Sequence, residues 1–210
     1  MEALGTIRHG DRRASRARLY SAIAALMAPP PGDQPPRDLI RELTDALAEV
    51  GMQPPADLTE PPADRLPLRE AWERTFGRPG GLLVPVESCY RPWTQRGEAA
   101  SLAGETGFLL SDHALHVAEL YRAAGVTVPP EFQGTPDHLV LELEFMALLA
   151  RWGTPQDQAR MLTEHLDWVP GLLADARREN VPWPYLPLLE VLVALLERDT
   201  ACLQAARIGR

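Results

Sequence analysis

Every stretch of this chain long enough to carry a period carries a helical one, and proline or glycine marks where most of them stop. The spacing predicts a first helix over about 13–28, with Leu19, Ile23, Leu26 and Met27 on one face and Pro29-Pro30-Pro31 beyond its end. A second is expected over about 36–50, where Leu39, Leu43 and Leu47 recur at four-residue steps before Gly51, and a third over about 65–76, carrying Leu68, Trp72 and Phe76. Residues 77–110 then lose the period and become rich in Gly, Pro and large aromatics. A loop of that length in a compact domain is usually functional, and its aromatics suggest that it packs against something. Helices resume over about 112–124 behind Ser111, over about 136–152 behind Thr135-Pro136, and over about 155–168 behind Thr154-Pro155. Pro170 interrupts, a further turn or two runs to about 179, and a last helix is expected over about 185–206. No stretch alternates with a period of two. The expected fold is all-α: one helical domain over 1–210, with helices within 13–76 and 111–206 joined by a long hinge loop at 77–110.

Composition narrows the chemistry. At 210 residues the chain can bury a sizeable core without covalent staples. Its positive charges are all arginine, so a Schiff-base or phosphate-loop lysine is impossible. A net charge of −8 argues against a protein that grips nucleic acid through phosphates. Cys89 and Cys202 are too few for a disulfide framework or thiolate zinc site, and are read as reduced, structural residues of a cytoplasmic protein. Arg12-Arg13 stands ahead of an apolar stretch as in an export signal. The residues that follow, Ala14, Ser15 and Arg16, are not the expected apolar run, and Leu19–Ala28 alternates as an amphipathic helix instead. The basic cluster from Arg8 to Arg18 is expected to be a solvated, frayed terminus. No run reaches the ~18 apolar residues that a membrane span needs.

Two places carry suggestive polar groups. On a helical wheel of 137–152, Asp137, Glu144 and Arg151 fall on a narrow polar stripe. His138 and Glu142 instead sit one turn apart on the apolar face, near Phe145 and Leu149. A buried carboxylate needs a partner, and His138 is within reach of Glu142, so the pair braces the helix, forms a ligand site, or marks a docking surface. Asp137 by itself suits the first turn of a helix, where the dipole favours a carboxylate. In "SDHALHVAEL", His113 and His116 lie three apart with Glu119 nearby. That spacing can ligate a metal, with His138 or His165 as a further ligand, and gives a rival reading as a helical metal-dependent hydrolase. No phosphate loop, dinucleotide fingerprint, nucleophile elbow or CxxC is present. A helical scaffold or regulator for some other partner is a third reading.

"PDHLVLELEFMALL" resembles the signature segment of the TorD family, the cytoplasmic assembly chaperones of DMSO-reductase-family molybdoenzymes (the TorD, DmsD and NarJ type). Other segments resemble the family in order and spacing: "RLYSAIAALMAPPP", "PVESCYRPW", "GFLLSDHALHVAELYRAAGV", and "HLDWVPGLL" followed by "PWPYLPLLEVLVALL". Asp137 and His138 match the family's Glu-Pro-x-Asp-His pattern, while its Glu-Pro pair is not matched and Val86 stands where Tyr is usual. The long loop from Tyr90 resembles chaperones of exported oxidoreductases that act on inorganic oxyanions, sulfur compounds or hydrocarbons. The resemblance implies an all-helical, non-catalytic protein with no cofactor of its own. Its partner would be the precursor of a molybdoenzyme catalytic subunit, held through its twin-arginine signal peptide or its mature body until molybdopterin is inserted. A receptor for such a peptide needs carboxylates beside an apolar helical groove. Glu87, Asp137 and Glu142 are the candidates for the cationic end, Tyr90, Trp93, Phe145 and Leu149 for the apolar walls, and His138 for setting the hydrogen bonding. The state expected is a monomer or a helix-swapped dimer.

Overall fold

Apolar side chains at helical spacing meet on every element. The computed structural model describes residues 2–77, 80–94 and 104–208, with side chains from Arg12 to Ala205 within those spans. Nine α-helices follow one another among the described residues: α1 (Glu2–Met27), α2 (Arg37–Glu49), α3 (Ala56–Thr59), α4 (Leu68–Phe76), α5 (Asp112–Ala123), α6 (Leu139–Trp152), α7 (Pro155–Glu164), α8 (Val169–Arg178) and α9 (Tyr185–Ile208). Two short 3₁₀ turns, Glu87–Cys89 and Pro130–Phe132, interrupt the connections. The described residues contain no strand, only an isolated antiparallel bridge between Val86 and His138. The fold is all-α.

Helix α6 is the axis of the packing. It is apolar almost all round, as a helix covered on most sides must be. Leu139, Leu143, Met146 and Ala150 are wholly buried, while Glu144, Leu148, Arg151 and Trp152 reach solvent. Its main neighbour is α1, which contributes Leu19, Tyr20 and Ile23. The other helices close around this pair, and the buried apolar residues form one continuous cluster from Leu19 to Leu196. Helices on both sides of the 77–110 segment therefore share a core. Of that segment, 78–79 and 95–103 lie outside the described residues.

Several boundaries differ from the sequence expectation. Helix α1 begins at Glu2 rather than near 13, so the basic cluster is helical and not frayed. Nor is it uniformly solvated: Arg16 lies against buried Asp199 of α9 at 2.7 Å and also donates to Gln158. Helix α6 starts at Leu139, not at Pro136, because 136–137 form a turn and His138 is held extended against the chain at 85–87. Glu87 N donates to the Asp137 carbonyl at 3.0 Å, and Leu139 N to the Pro85 carbonyl at 2.9 Å. His138 becomes the N-cap, its Nδ1 accepting from Val140 N at 3.2 Å. Asp137 thus stands outside the helix rather than in its first turn. Helix α7 ends at Glu164 instead of 168. Pro170 cannot donate a backbone hydrogen bond, and it sits in the first turn of α8. The Thr154 and Ser111 caps form as expected, Thr154 as a capping box with Asp157.

Candidate functional site

The bridge between Val86 and His138 brings the loop into the body of the molecule. The 3₁₀ turn at Glu87–Cys89 points Glu87 inward and leaves Ser88 facing Asp137. Ser88 N donates to Asp137 Oδ2 at 2.7 Å, and the Ser88 hydroxyl makes a very short bond to the same oxygen. Ser111 N donates to Ser88 Oγ at 3.1 Å, while the two serine hydroxyls lie 2.8 Å apart. Asp137 therefore fastens the loop to the N-terminus of α6, and Ser88 passes that restraint to the cap of α5.

Beside this clamp lies a second polar knot. Glu87, Asp137 and Glu142 are each fully buried, so none presents a carboxylate to solvent. Glu142 Oε2 accepts from Trp168 Nε1 at 3.1 Å, and its carboxyl lies within hydrogen-bonding reach of Glu87. The expected bracing pair of His138 with Glu142 is replaced: His138 uses Nδ1 to cap α6, and Glu142 turns to Trp168 and Glu87. Burial drives the Glu142 carboxyl well above the usual range, reinforced by the neighbouring Glu87 and Asp137. Burial likewise pushes Glu87 up to about 7, against the opposing pull of His113 and Arg91. Two carboxyls in such a site share a proton, because ionising both would place like charges together in low dielectric. Buried Glu87 Oε1 and Glu142 Oε1, which have no ordinary donor, suit that sharing.

A chain of imidazoles leads from Glu87 toward the surface. His165, fully buried, places Nδ1 2.9 Å from Glu87 Oε2 and Nε2 2.9 Å from His116 Nδ1. Arg160 Nη2 lies 2.7 Å from His116 Nε2. A guanidinium only donates, so His116 accepts at Nε2 and carries its proton on Nδ1. His165 then accepts at Nε2 and donates from Nδ1 to Glu87. The direction Arg160 to His116 to His165 to Glu87 is thereby fixed. Burial holds His165 down at about 4 and lowers His116 as well, which keeps both rings neutral. Arg91 closes the other side, 3.5 Å from Glu87 Oε1 and also paired with Asp167. His113 Nδ1 lies 3.5 Å from Glu87 Oε1.

The structure brings together Glu87, Asp137, Glu142, His113, His116 and His165. Glu119 stays apart, exposed and paired with Arg122 at 2.6 Å, so the rival ligand set His113, His116 and Glu119 is not assembled. The proposed apolar walls divide as well. Half-buried Tyr90 packs on Trp168, with ring centroids 5.0 Å apart. Its close approach to Gly171, where a Cβ would sit 3.3 Å from the Tyr90 ring, leaves little room for a side chain there. Trp93 is tied through its backbone to Glu105 and Asp112. Phe145 stacks edge-on with Tyr121 and joins Leu149 in a separate cleft of about 260 Å³ with Leu120, Arg160 and Met161. Sequence reasoning missed Ser88, Trp168 and Arg91 as site members. It also missed the exposed apolar run Phe108, Leu109 and Leu110 with Leu115, which flanks the Ser111 cap. That run was legible as three large apolar residues directly before a helix cap.

The described part of the loop is thus pinned to the central helix of an all-helical chain through a buried knot of carboxylates and histidines. Residues 31–174, more than half of the chain, match the model of the nitrate reductase delta subunit family, and the chain belongs to that family. It is a family of redox-enzyme maturation chaperones of the NarJ and TorD type. No curated protein and no solved structure gives a significant match. Among the described residues, no helix is long and apolar enough to cross a membrane.

Proposed function

We propose that this protein is a non-catalytic chaperone for the precursor of a molybdenum-containing catalytic subunit of the DMSO reductase family. It binds the precursor's twin-arginine signal peptide in the cytoplasm and holds it until molybdopterin has been inserted, before export. The observation that carries this reading is the Asp137–Ser88–Glu87 clamp, which holds an aromatic loop on the end of α6 within a chain of this family. Buried as they are, Glu87, Asp137 and Glu142 act as positioning residues. They set the shape of the surface and the local negative potential, while His138, Tyr90 and Trp93 border it. The exposed Phe108, Leu109, Leu110 and Leu115 supply an apolar patch suited to the hydrophobic segment that follows the arginine pair. The net charge of −8 favours encounter with a cationic peptide.

The test is calorimetric titration with a twin-arginine signal peptide and with a control in which both arginines are glutamine. The parent is expected to bind the first, and the control about tenfold or more weakly, since the attraction between the arginine pair and the acidic protein is lost. Folded His138→Ala and Trp93→Ala variants should weaken binding. If they bind as the parent does, the surface assigned here is wrong. Equal binding of both peptides would remove the twin-arginine reading and point to another part of the precursor.

A further inference from the structure

We propose that His116, His165 and Glu164 form a binding site for a divalent transition metal of the zinc class at the outer end of the imidazole chain. The three side chains come from the middle of α5 and the C-terminal end of α7, and their ligand atoms converge. His165 Nε2 and His116 Nδ1 are 2.9 Å apart, and His116 Nδ1 is 4.0 Å from Glu164 Oε2. Tetrahedral zinc with ligand bonds near 2 Å needs neighbouring donors about 3.3 Å apart. An opening of about 0.4 Å on the first edge and a closing of about 0.7 Å on the second would meet that spacing, in a cluster whose ligand atoms all lie within 4.8 Å of one another. Two neutral imidazoles and a carboxylate are a donor set that zinc favours.

The second shell is already in place. A metal-ligating histidine ordinarily donates its other ring N–H to a carboxylate, which fixes the tautomer and aims the free nitrogen. His165 Nδ1 does this with Glu87 Oε2 at 2.9 Å, and both residues are wholly buried, so the ring is locked with Nε2 facing outward. The alternative cluster of Glu87, His113 and His165 would require that same Nδ1 as a ligand and would break this lock. The outer triad is also reachable: the side chains of His116 and Glu164 are 35% and 46% exposed, leaving a fourth position for water.

One group now occupies the entrance. Arg160 bonds both His116 Nε2 and Glu164 Oε2, and its own side chain is 50% exposed, free to swing outward. On metal binding the His116 proton moves from Nδ1 to Nε2, and Arg160 leaves Nε2. The ring stays neutral and no proton is released from it. This site is independent of signal-peptide binding and is tested without any peptide.

The experiment is titration of zinc chloride into tag-free, chelator-treated full-length protein, followed by calorimetry, with cobalt substitution read by visible absorption. One equivalent of zinc and the intense absorption of tetrahedral cobalt are expected. Glu164→Gln and His116→Gln, both at partly exposed positions, should each weaken zinc by at least ~10-fold while circular dichroism stays helical. Glu87→Gln should weaken it by ~10–100-fold through the lost second-shell bond. No stoichiometric zinc in the parent overturns the proposal, and so does parental affinity in folded Glu164→Gln and His116→Gln. Loss on His113→Gln with no loss on Glu164→Gln would place the ion at the inner cluster and overturn this assignment too.

Discussion

At the scale of residues, the Glu87–His165 contact sets two opposite titrations against each other. Glu87, raised to about 7 by burial, keeps in the folded protein a proton that the unfolded chain releases from about 4.5 upward. Its contribution to stability is present below pH 4.5 and is lost as pH rises toward 7. His165, lowered to about 4, refuses a proton that the unfolded chain takes up below 6.5. Its contribution is present above 6.5 and is lost as pH falls toward 4. Across the overlap the two oppose one another in the parent. Removing one leaves the other uncovered. Relative to the parent, Glu87→Gln should therefore gain stability with rising pH between about 4.5 and 7, and His165→Gln should lose it between about 4 and 6.5. Urea denaturation of metal-free protein over a pH series checks this; parallel pH trends in the two variants would overturn the opposite shifts of Glu87 and His165.

At the scale of elements, the two helices that open with Thr-Pro show when a local signal prevails. Thr154-Pro155 opens α7 as its sequence indicates, since nothing pulls the preceding residues elsewhere and Asp157 completes the capping box. The exposed Thr154 hydroxyl accepts from Asp157 N at 3.1 Å, and Thr154→Ala should cost about 1 kcal/mol in thermal or urea denaturation. Thr135-Pro136 carries the same pair and fails as a start, because 136–137 form a turn and the pairing with 85–87 holds His138 extended. Its cap moves to His138. Gly153 at the other end of α6 is required for space: a Cβ there would meet the Leu149 carbonyl oxygen at 2.8 Å. Gly153→Ala should lower the melting temperature although the backbone φ of −74° suits alanine; an unchanged melting temperature would mean that the α6–α7 corner yields without strain.

At the scale of the whole molecule, the first and last helices are tied by a buried polar contact rather than by apolar packing alone. Asp199 of α9 accepts from Arg16 Nε and from the Tyr20 hydroxyl of α1, each at 2.8 Å, and is 2% exposed. Burial, with the adjacent carboxylate next in weight, holds the Tyr20 hydroxyl protonated far above its usual range. Asp199→Ala would leave Arg16 partly buried without its counter-ion, and should destabilise the fold by about 3–5 kcal/mol in urea denaturation. A loss below about 1 kcal/mol would place this pair among surface bridges that contribute little. Because α1 also flanks α6, loosening this tie is expected to weaken the wall behind the candidate site.

What the sequence determined by itself was the helical class, most helix positions, and the apolar character of α6, because these follow from periods of a few residues and from Pro, Gly and cap chemistry acting locally. It also singled out His138 and Glu142 as polar groups where apolar ones were due, with Asp137 beside them. Their partners were decided only in three dimensions. Asp137 meets Ser88 across 49 positions and His165 meets Glu87 across 78, and no local pattern encodes such a pairing. Burial then set the chemistry of Glu87 and Glu142: two carboxyls that would be ionised on a surface share a proton in the interior, since low dielectric penalises charge. Arg16 followed the same logic in reverse. It looked like one more solvated cation in a basic run, and only the approach of α9 gave it a buried counter-ion.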